Sequence, residues 1–99
     1  PAVNKLCKKL KLNTSDFDTI ESNEAFAAQA CAVTKELALN PEKVNPNGGA
    51  IALGHPVGAT GAILVIKAIS ELQRTKKNLA LITMCIGGGQ GIAIAIEAT

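Results

Sequence analysis

The chain has 99 residues, 47% of them hydrophobic, a net charge of +2, two phenylalanines and neither tyrosine nor tryptophan. This length fits one small domain, and so weak a charge, without a basic stripe that carries aromatic residues, argues against a nucleic-acid-binding surface. Three cysteines without a CxxC spacing argue against a disulfide framework and a zinc site and favour a reducing compartment, and no run of residues is apolar enough to span a membrane.

The first part of the chain predicts an amphipathic helix followed by a short extended segment. From Ala2 to Leu10 apolar residues recur on one helical face and lysines on the other, so the basic face is expected to be solvated. Residues 13–16 are all small polar residues and predict a turn, and residues 17–21 are expected to be extended. Cys7 lies on the apolar face and is interpreted as a small buried hydrophobic residue.

A second helix is predicted to begin at Asn23. Asn is a good N-cap because its side chain can bond to a free backbone N–H, and apolar residues keep a helical spacing from Glu24 to Leu39, where Asn40-Pro41 ends the helix. The apolar positions are Phe26, Ala30, Val33 and Leu37. Phe26 is therefore expected to be buried on the helix face, and Cys31 is interpreted as another small buried hydrophobic residue.

The second half of the chain predicts a loop, a buried helix and a β-hairpin. Residues 46–61 are rich in Gly, Pro and Asn and predict a loop. The next helix runs to Arg74 and is expected to be buried on most sides, because residues 63–66 are apolar without a polar break. Two apolar runs, Leu79 to Cys85 and Gly91 to Ile96, predict strands joined by a glycine-rich turn, and alanines on one face of the second strand favour close packing there.

Two glycine-framed segments, residues 48–62 and 84–91, hold all nine glycines, the single histidine and one cysteine. Pro56 restricts the backbone of His55, and an imidazole held in this way can take a proton from a thiol and donate a hydrogen bond to a developing oxyanion. A structural histidine in a turn is the alternative. The glycines of the first segment indicate close packing of loop and helix rather than pyrophosphate binding, because G-x-G-x-x-G is absent.

Cys85 lies where an apolar strand enters the run Gly87-Gly88-Gly89. A thiol at such a junction can face a cleft, and a glycine N–H can approach an oxyanion closely because no Cβ intervenes. The alternatives are an unreactive cysteine that fills space and a wide hairpin turn without a binding role.

Together with Asn23-Glu24-Ala25-Phe26-Ala27, these two segments closely resemble the C-terminal domain of thiolases, the enzymes that make or cleave 3-ketoacyl-CoA. The resemblance implies an α/β fold, the C-terminal half of the layered α/β/α/β/α thiolase architecture, with helices packed on a mixed sheet. It also implies that residues 1–99 are a partial domain, incomplete at its N-terminus, because a first strand and the whole N-terminal domain would precede Pro1. Alone, such a piece would expose a sheet edge and an apolar helix face.

The resemblance also assigns roles to single residues. Thiolases acylate a cysteine of the N-terminal domain, which this chain does not contain, so the isolated chain is expected to be inactive. His55 would activate that nucleophile, and Cys85 would move a proton at the α-carbon of the second acetyl group. Asn23 would hold a water that forms one oxyanion hole with His55, and the backbone N–H of Gly87 would contribute to the other. Phe26 would lie near the acyl group as a candidate substrate contact.

The sequence is most similar to the biosynthetic acetoacetyl-CoA thiolases, which implies condensation of two acetyl-CoA molecules to acetoacetyl-CoA and the reverse thiolysis. A degradative 3-ketoacyl-CoA thiolase of fatty-acid β-oxidation is the alternative, and a non-catalytic acyl-CoA- or lipid-binding module is an alternative of another class. The implied partners are acyl-CoA, the remainder of the chain and a second or further copies in a homodimer or homotetramer. No metal, cofactor, nucleic acid or membrane is implied, and the expected compartment is the cytoplasm, with mitochondrion or peroxisome as alternatives. One departure from the family is Ile63, which stands where arginine is usual.

Overall fold

Helices pack on both faces of a three-stranded sheet in the computed structural model of the chain, which describes all residues from 1 to 99. The helices are α1 (Ala2–Leu10), α2 (Ala27–Glu36), α3 (Ala50–Leu53) and α4 (Thr60–Thr75), and the strands are β1 (Thr19–Ser22), β2 (Leu79–Gly87) and β3 (Gln90–Glu97). Single 3-10 turns occupy Thr14–Asp16 and Pro41–Lys43. These elements confirm the predicted α/β class and the glycine-linked hairpin. None of the four helices combines the length and the apolar character needed to cross a bilayer.

The sheet is mixed, as predicted, with the strand order β1-β2-β3. β1 runs parallel to β2, with Ser22 beside Thr83, and β2 runs antiparallel to β3, with Cys85 beside Gly91. A parallel pair needs a long crossover connection, which here contains α2, α3 and α4. Because the carboxyl ends of β1 and β2 meet at one end of the sheet, Asn23, which follows β1, lies at the same end as Cys85.

Each face of the sheet has its own small core. Side chains alternate along β2, so Leu81 contacts one core while Ala80 and Ile82 contact the other. The core on the α1 side consists of Val3, Cys7, Phe17, Ile20, Leu39 and Leu81. The core on the α4 side consists of Leu64, Ala68, Leu72, Ala80 and Ile82. Ala93 and Ala95 of β3 pack on the α1 side, which confirms the predicted alanine face.

The first helix, α1, has the predicted bounds and the predicted orientation. Val3 and Cys7 are buried and its lysines are exposed. Burial raises the pKa of the Cys7 thiol, which agrees with its interpretation as a small hydrophobic residue. The helix ends because Lys11 adopts a left-handed conformation, after which the N–H of Leu12 donates to the carbonyl of Cys7.

The predicted helix from Glu24 to Leu39 is wrong at both ends. Asn23 does not cap α2, which starts four residues later; instead the N–H of Asn23 donates to the carbonyl of Thr83 at 2.9 Å and prolongs the pairing of β1 with β2. α2 begins only after an extended Phe26, which is its N-cap residue. It stops before Ala38, whose φ of 50° is left-handed and incompatible with a continuing helix.

Several burial predictions are also wrong. Phe26 leaves 74% of its surface exposed because it precedes α2 instead of lying on its inner face, and Cys31 is exposed as well. α4 buries one face only, and Ile63 and Ile66 on its other side are 38% and 61% exposed. The predicted loop of residues 46–61 is interrupted by the short helix α3. The chain therefore exposes an apolar helix face.

Candidate active site

His55 and Asn23 are brought together at the carboxyl end of β1. Asn23 is 2% exposed and fixed by its backbone bond to β2, and its Nδ2 lies 3.5 Å from Nε2 of the partly buried His55. His55 reaches this place from the loop between α3 and α4, and the following Pro56 restricts the backbone of His55. The first glycine-framed segment thus contacts Asn23, and the second begins one residue after Thr83, to which Asn23 is bonded.

Thr60, the first residue of α4, orients the imidazole. Its Oγ1 lies 2.6 Å from Nδ1 of His55 and 3.0 Å from the carbonyl oxygen of Pro56. Since that carbonyl can only accept, we assign the single hydroxyl proton of Thr60 to it, so that Nδ1 of His55 carries a hydrogen and donates to Oγ1. Nε2 then has a free lone pair, which can accept a hydrogen bond from Asn23 or take a proton from a thiol.

The sequence interpretation did not single out Thr60. Its signal in the sequence is a hydroxyl residue five positions after the histidine, at the point where the predicted helix starts, and hydroxyl residues are frequent at helix starts for other reasons. Thr60 is 3% exposed, so its hydroxyl must be bonded inside the protein. The chain Asn23–His55–Thr60 of polar contacts is called the His55 network below.

One polar atom of the His55 network is left free. Oδ1 of Asn23 is buried and has no hydrogen-bond partner in the structure. An unsatisfied buried acceptor costs about 1–3 kcal/mol, so a polar group seated beside it, such as a water, would be stabilised. This property fits the water-holding role that the family resemblance implies for Asn23, a role that stays a prediction.

The loop that leads to His55 is held by polar side chains on three sides. Asn45 accepts from the N–H of Ser22 at 2.9 Å and donates to its carbonyl at 2.8 Å, which continues the edge of β1. Asn47 donates to Glu71 of α4 at 2.8 Å, and Lys67 of α4 donates to the carbonyl of Gly48. Such bonds fix the loop to both the strand and the helix that carry the rest of the His55 network.

The glycine at position 49 allows a close approach. A Cβ there would lie 2.1 Å from Oε1 of Glu24, whereas nothing lies within 4 Å of a Cβ built on Gly58. The same carboxylate accepts from the N–H of Ile51 at 3.3 Å, in the first turn of α3. The predicted close packing is thus confirmed at Gly49 and wrong at Gly58. Glu24 contacts α3, although α2 is the helix that follows it in the chain.

Cys85 lies at the same end of the sheet but is not bonded to His55. Its thiol is exposed, and it lines a cavity of about 210 Å³ between β2, the start of α1 and α2. Polar residues that line the same cavity are Ser22, Gln29 and Thr83. Both ring nitrogens of His55 face other partners, Thr60 and Asn23.

The turn between β2 and β3 requires its glycines for conformation. Gly87, Gly88 and Gly89 have φ values of 90°, 58° and 76°, a region that other residues adopt only with strain. No atom of the chain lies within 4 Å of a Cβ built at any of the three. The turn therefore leaves open space where a Cβ of residue 87 would stand, and the oxyanion role of the Gly87 N–H stays a prediction.

Three apolar side chains that are close in sequence to Asn23, His55 and Cys85 are exposed. Phe26, Val57 and Ile86 are 74%, 80% and 57% exposed and lie before α2, beside His55 in sequence, and next to Cys85, respectively. Phe26 is thus free to contact a bound molecule, which is compatible with its candidate role as a substrate contact. No group of three or more His, Cys, Asp and Glu side chains is close enough together to hold a metal ion.

Comparison with known proteins identifies the family. The family profile described as "Thiolase, C-terminal domain" matches residues 1–98. The chain belongs to the thiolase family. It is 61% identical over 97 residues to the beta-ketothiolase BktB of Cupriavidus necator, 57% over 99 residues to a beta-ketoadipyl-CoA thiolase of Pseudomonas knackmussii, and 55% over 97 residues to an acetyl-CoA acetyltransferase of Escherichia coli. Each match covers 98% of this chain and 25% of the relative, so the chain spans about a quarter of these thiolases.

Proposed function

We propose that this thiolase domain is the C-terminal catalytic portion of an acetyl-CoA acetyltransferase, which condenses two acetyl-CoA molecules to acetoacetyl-CoA and cleaves acetoacetyl-CoA in reverse. The observation that carries the proposal is the His55 network, in which Thr60 leaves Nε2 of the imidazole free beside a buried Asn23. A histidine in this state can act as a general base near neutral pH. The 55% identical relative of Escherichia coli bears the same name as the proposed activity.

In the proposed reaction, a cysteine of the remaining part of the enzyme loses its proton to Nε2 of His55 and attacks the thioester of the first acetyl-CoA. Cys85 gives its proton to the departing coenzyme A, and the acetyl group stays on the first cysteine. The Cys85 thiolate then takes a proton from the methyl carbon of the second acetyl-CoA, and the resulting carbanion attacks the acetyl-enzyme to form acetoacetyl-CoA. The released cysteine takes its proton back from His55, which restores all three groups. Thiolysis follows the same steps in reverse.

Each step creates a negatively charged oxygen that must be stabilised. Asn23, through a water at its free Oδ1, and His55 would bind the enolate oxygen, and the N–H of Gly87 would bind the oxygen of the acetyl-enzyme intermediate. Fixed donors aimed at such an oxyanion contribute about 3–4 kcal/mol each to transition-state stabilisation. Coenzyme A thioesters are the substrates, and the chemistry needs neither a metal nor a resident cofactor.

A thiolase with another 3-ketoacyl-CoA substrate is the second candidate. It is favoured by the relatives of 61% and 57% identity, whose names refer to β-ketothiolase and β-ketoadipyl-CoA thiolase activity. Their similarity extends over the same 98% of this chain as that of the acetyltransferase. The residues of this chain therefore favour a mechanism that all these relatives share, and they do not select one acyl substrate. A degradative enzyme of fatty-acid β-oxidation belongs to this second candidate, and a non-catalytic acyl-CoA-binding module remains the alternative of another class.

The proposed partners are those of a complete thiolase. The exposed face of α4 and the open edge of β3 would be covered by the remainder of the polypeptide, and the complete enzyme would form a homodimer or homotetramer in the cytoplasm. The three free thiols are compatible with such a reducing compartment. The isolated 99 residues would be inactive, because they lack the cysteine that is acylated.

The test compares thiolysis of acetoacetyl-CoA, β-ketoadipyl-CoA and a long-chain 3-ketoacyl-CoA by the full-length protein and its variants. We expect activity on acetoacetyl-CoA that falls by orders of magnitude in His55→Ala and Cys85→Ala and is unchanged in Cys31→Ala, whose thiol is also exposed but lines a different cavity. A preference for either other substrate supports the second candidate. Binding of acyl-CoA without turnover supports the non-catalytic module, and activity indifferent to both substitutions contradicts the assigned site.

A further inference from the structure

A buried ion pair joins β1 to α4, close to the His55 network in sequence, and takes no part in the chemistry proposed above. Nζ of Lys67, on α4, lies 2.7 Å from Oε1 of Glu21, on β1. The side chain of Glu21 is 2% exposed and that of Lys67 is 19% exposed. The same ammonium group donates to the carbonyl of Gly48, in the loop that leads to His55. One side chain thus joins a strand, a helix and the loop.

These three elements are the ones that carry the His55 network. Glu21 lies two residues before Asn23 on the same strand, and Lys67 lies two helical turns after Thr60 on the same face of α4. Gly48 opens the segment that ends at His55. A shift of any one of the three relative to the others would change the distances that join Asn23, His55 and Thr60.

Asn45 bonds the start of this loop to β1, whereas the other bond between the loop and α4, from Asn47 to Glu71, is a weaker anchor than Lys67. Asn47 is exposed, and the second ion pair of the chain, between Arg74 and Glu71, has an arginine side chain that is 68% exposed. Charge pairs in water contribute little, whereas a buried pair is costly to separate and therefore holds a defined geometry. Glu21 and Lys67 form the one ion pair of the chain in which both side chains are mostly buried.

We propose that Lys67 is a positioning residue, which holds the loop of His55 against β1 and thereby keeps the imidazole beside Asn23. The proposal rests on the proposed function of the His55 network, and Lys67 itself contacts neither His55 nor Asn23. It acts through Glu21 on one side and the carbonyl of Gly48 on the other.

The experiment uses the full-length protein and four variants. Lys67→Met removes the charge and keeps the length of the side chain, Lys67→Arg keeps the charge, and the double variant Glu21→Gln/Lys67→Met removes both charges. Arg74→Met, the matched control, removes a cation from the exposed ion pair on the same helix. The measurements are kcat and KM for acetoacetyl-CoA thiolysis, per folded enzyme, and amide hydrogen exchange of residues 48–55.

We expect Lys67→Met to lower kcat about 10- to 100-fold with KM changed less than about threefold, because a displaced catalytic group reduces turnover more than binding. Exchange of residues 48–55 becomes faster in the same variant. Lys67→Arg recovers most of the activity, and Arg74→Met resembles the wild type. The double variant, which folds without an unpaired buried charge, stays at least about fivefold below the wild type.

A pH profile separates positioning from a general loss of stability. Burial raises the pKa of Glu21, Glu71 and Glu24 raise it further, and the hydrogen bond and charge of Lys67 oppose them. Without Lys67, the Glu21 carboxyl is neutral at low pH and becomes an unpaired buried anion as the pH rises. The kcat of Lys67→Met should therefore fall with rising pH relative to the wild type, and this extra fall should be absent from the double variant.

Wild-type kcat in Lys67→Met, or full recovery of kcat in the double variant, would overturn the proposal, since the loop would then need no ammonium group. Unchanged exchange of residues 48–55 in Lys67→Met would overturn it as well. If Lys67→Met does not fold, the double variant decides by the same two measurements. If the wild type shows no thiolysis, the proposed function is wrong, and the exchange measurement still decides whether Lys67 holds the loop.

Discussion

The hydroxyl of Thr60 should fix the orientation of the His55 ring and keep its hydrogen on Nδ1. Replacement by valine keeps the volume and the branching of the side chain and removes only the oxygen that contacts Nδ1 of His55 at 2.6 Å and the carbonyl of Pro56 at 3.0 Å. Without that acceptor, the hydrogen on Nδ1 has no partner, and the ring can rotate or shift its hydrogen to Nε2. In either case the lone pair that faces Asn23 is no longer held in place.

The size of the effect follows from one hydrogen bond. A buried group that loses its partner costs about 1–3 kcal/mol, and each 1.4 kcal/mol in the activation free energy changes the rate about tenfold. Because Thr60 is 3% exposed, little water can replace the lost bond. Thr60→Val should therefore lower kcat by roughly 5- to 100-fold, and Thr60→Ser, which keeps the hydroxyl, should stay close to the wild type.

The assay is acetoacetyl-CoA thiolysis by the full-length protein over a range of pH. Thr75→Val is a matched control, because Thr75 is on the same helix and its hydroxyl also donates to the backbone carbonyl four residues earlier, that of Glu71, at 2.7 Å. It removes a hydrogen bond of the same kind and should cause a much smaller loss of kcat. Equal losses of kcat in Thr60→Val and Thr75→Val, or none in the former, would refute the assigned hydrogen-bond direction and the role of Thr60.

Three further predictions concern stability and can be checked by thermal and urea denaturation. Gly49→Ala places a Cβ against the carboxylate of Glu24 and should cost about 1–3 kcal/mol, whereas Gly58→Ala, with no atom within 4 Å, should be neutral. Gly88→Ala, at a φ of 58°, should cost about 1–2 kcal/mol, and a neutral result would contradict the strained turn. Burial of Asp18 opposes its ionisation, but two backbone N–H donors at the start of β2 and nearby lysines lower its pKa below the ordinary 3.8. The ionised carboxylate therefore stabilises the fold above that pH, and this stabilisation is lost as the pH falls through the lowered pKa. Asp18→Asn should be less stable than the wild type at pH 6, and the difference should shrink in acid.

The elements of the fold that depend on local pattern were predictable from the sequence. α1 repeats its apolar residues at helical spacing, and the strands of the hairpin are apolar runs separated by three consecutive glycines. The start of α2 was mispredicted, because Asn23 satisfies the local rule for an N-cap, while its N–H is used in the pairing with Thr83 on a strand sixty residues away. A long-range backbone bond of this kind leaves no local signal, and it wins over the capping preference because it completes the sheet.

The candidate site was predictable to a different extent. His55 and Cys85 were predicted from their neighbours in the sequence and Asn23 from the family resemblance, and the structure places His55 beside Asn23. Thr60 and Lys67 were not found, because a hydroxyl at a helix start and a lysine within a helix are common in any protein. Their importance comes from what they contact across the fold, and no residue next to them in the sequence reports those contacts.

The free Oδ1 of Asn23 connects the wrongly predicted start of α2 with the chemistry of the site. If Asn23 capped α2, its Oδ1 would accept from an N–H in the first turn of that helix and would not be free. Because Asn23 instead prolongs β1, its side chain is buried at the end of the sheet with one donor toward Nε2 of His55 and one acceptor unsatisfied. A cost of about 1–3 kcal/mol for that acceptor is large for a chain of 99 residues. The backbone bond to Thr83 and the polar anchors of the loop hold Asn23 and His55 in place, and a water that donates to Oδ1 would remove this cost, which agrees with the water-holding role proposed for Asn23.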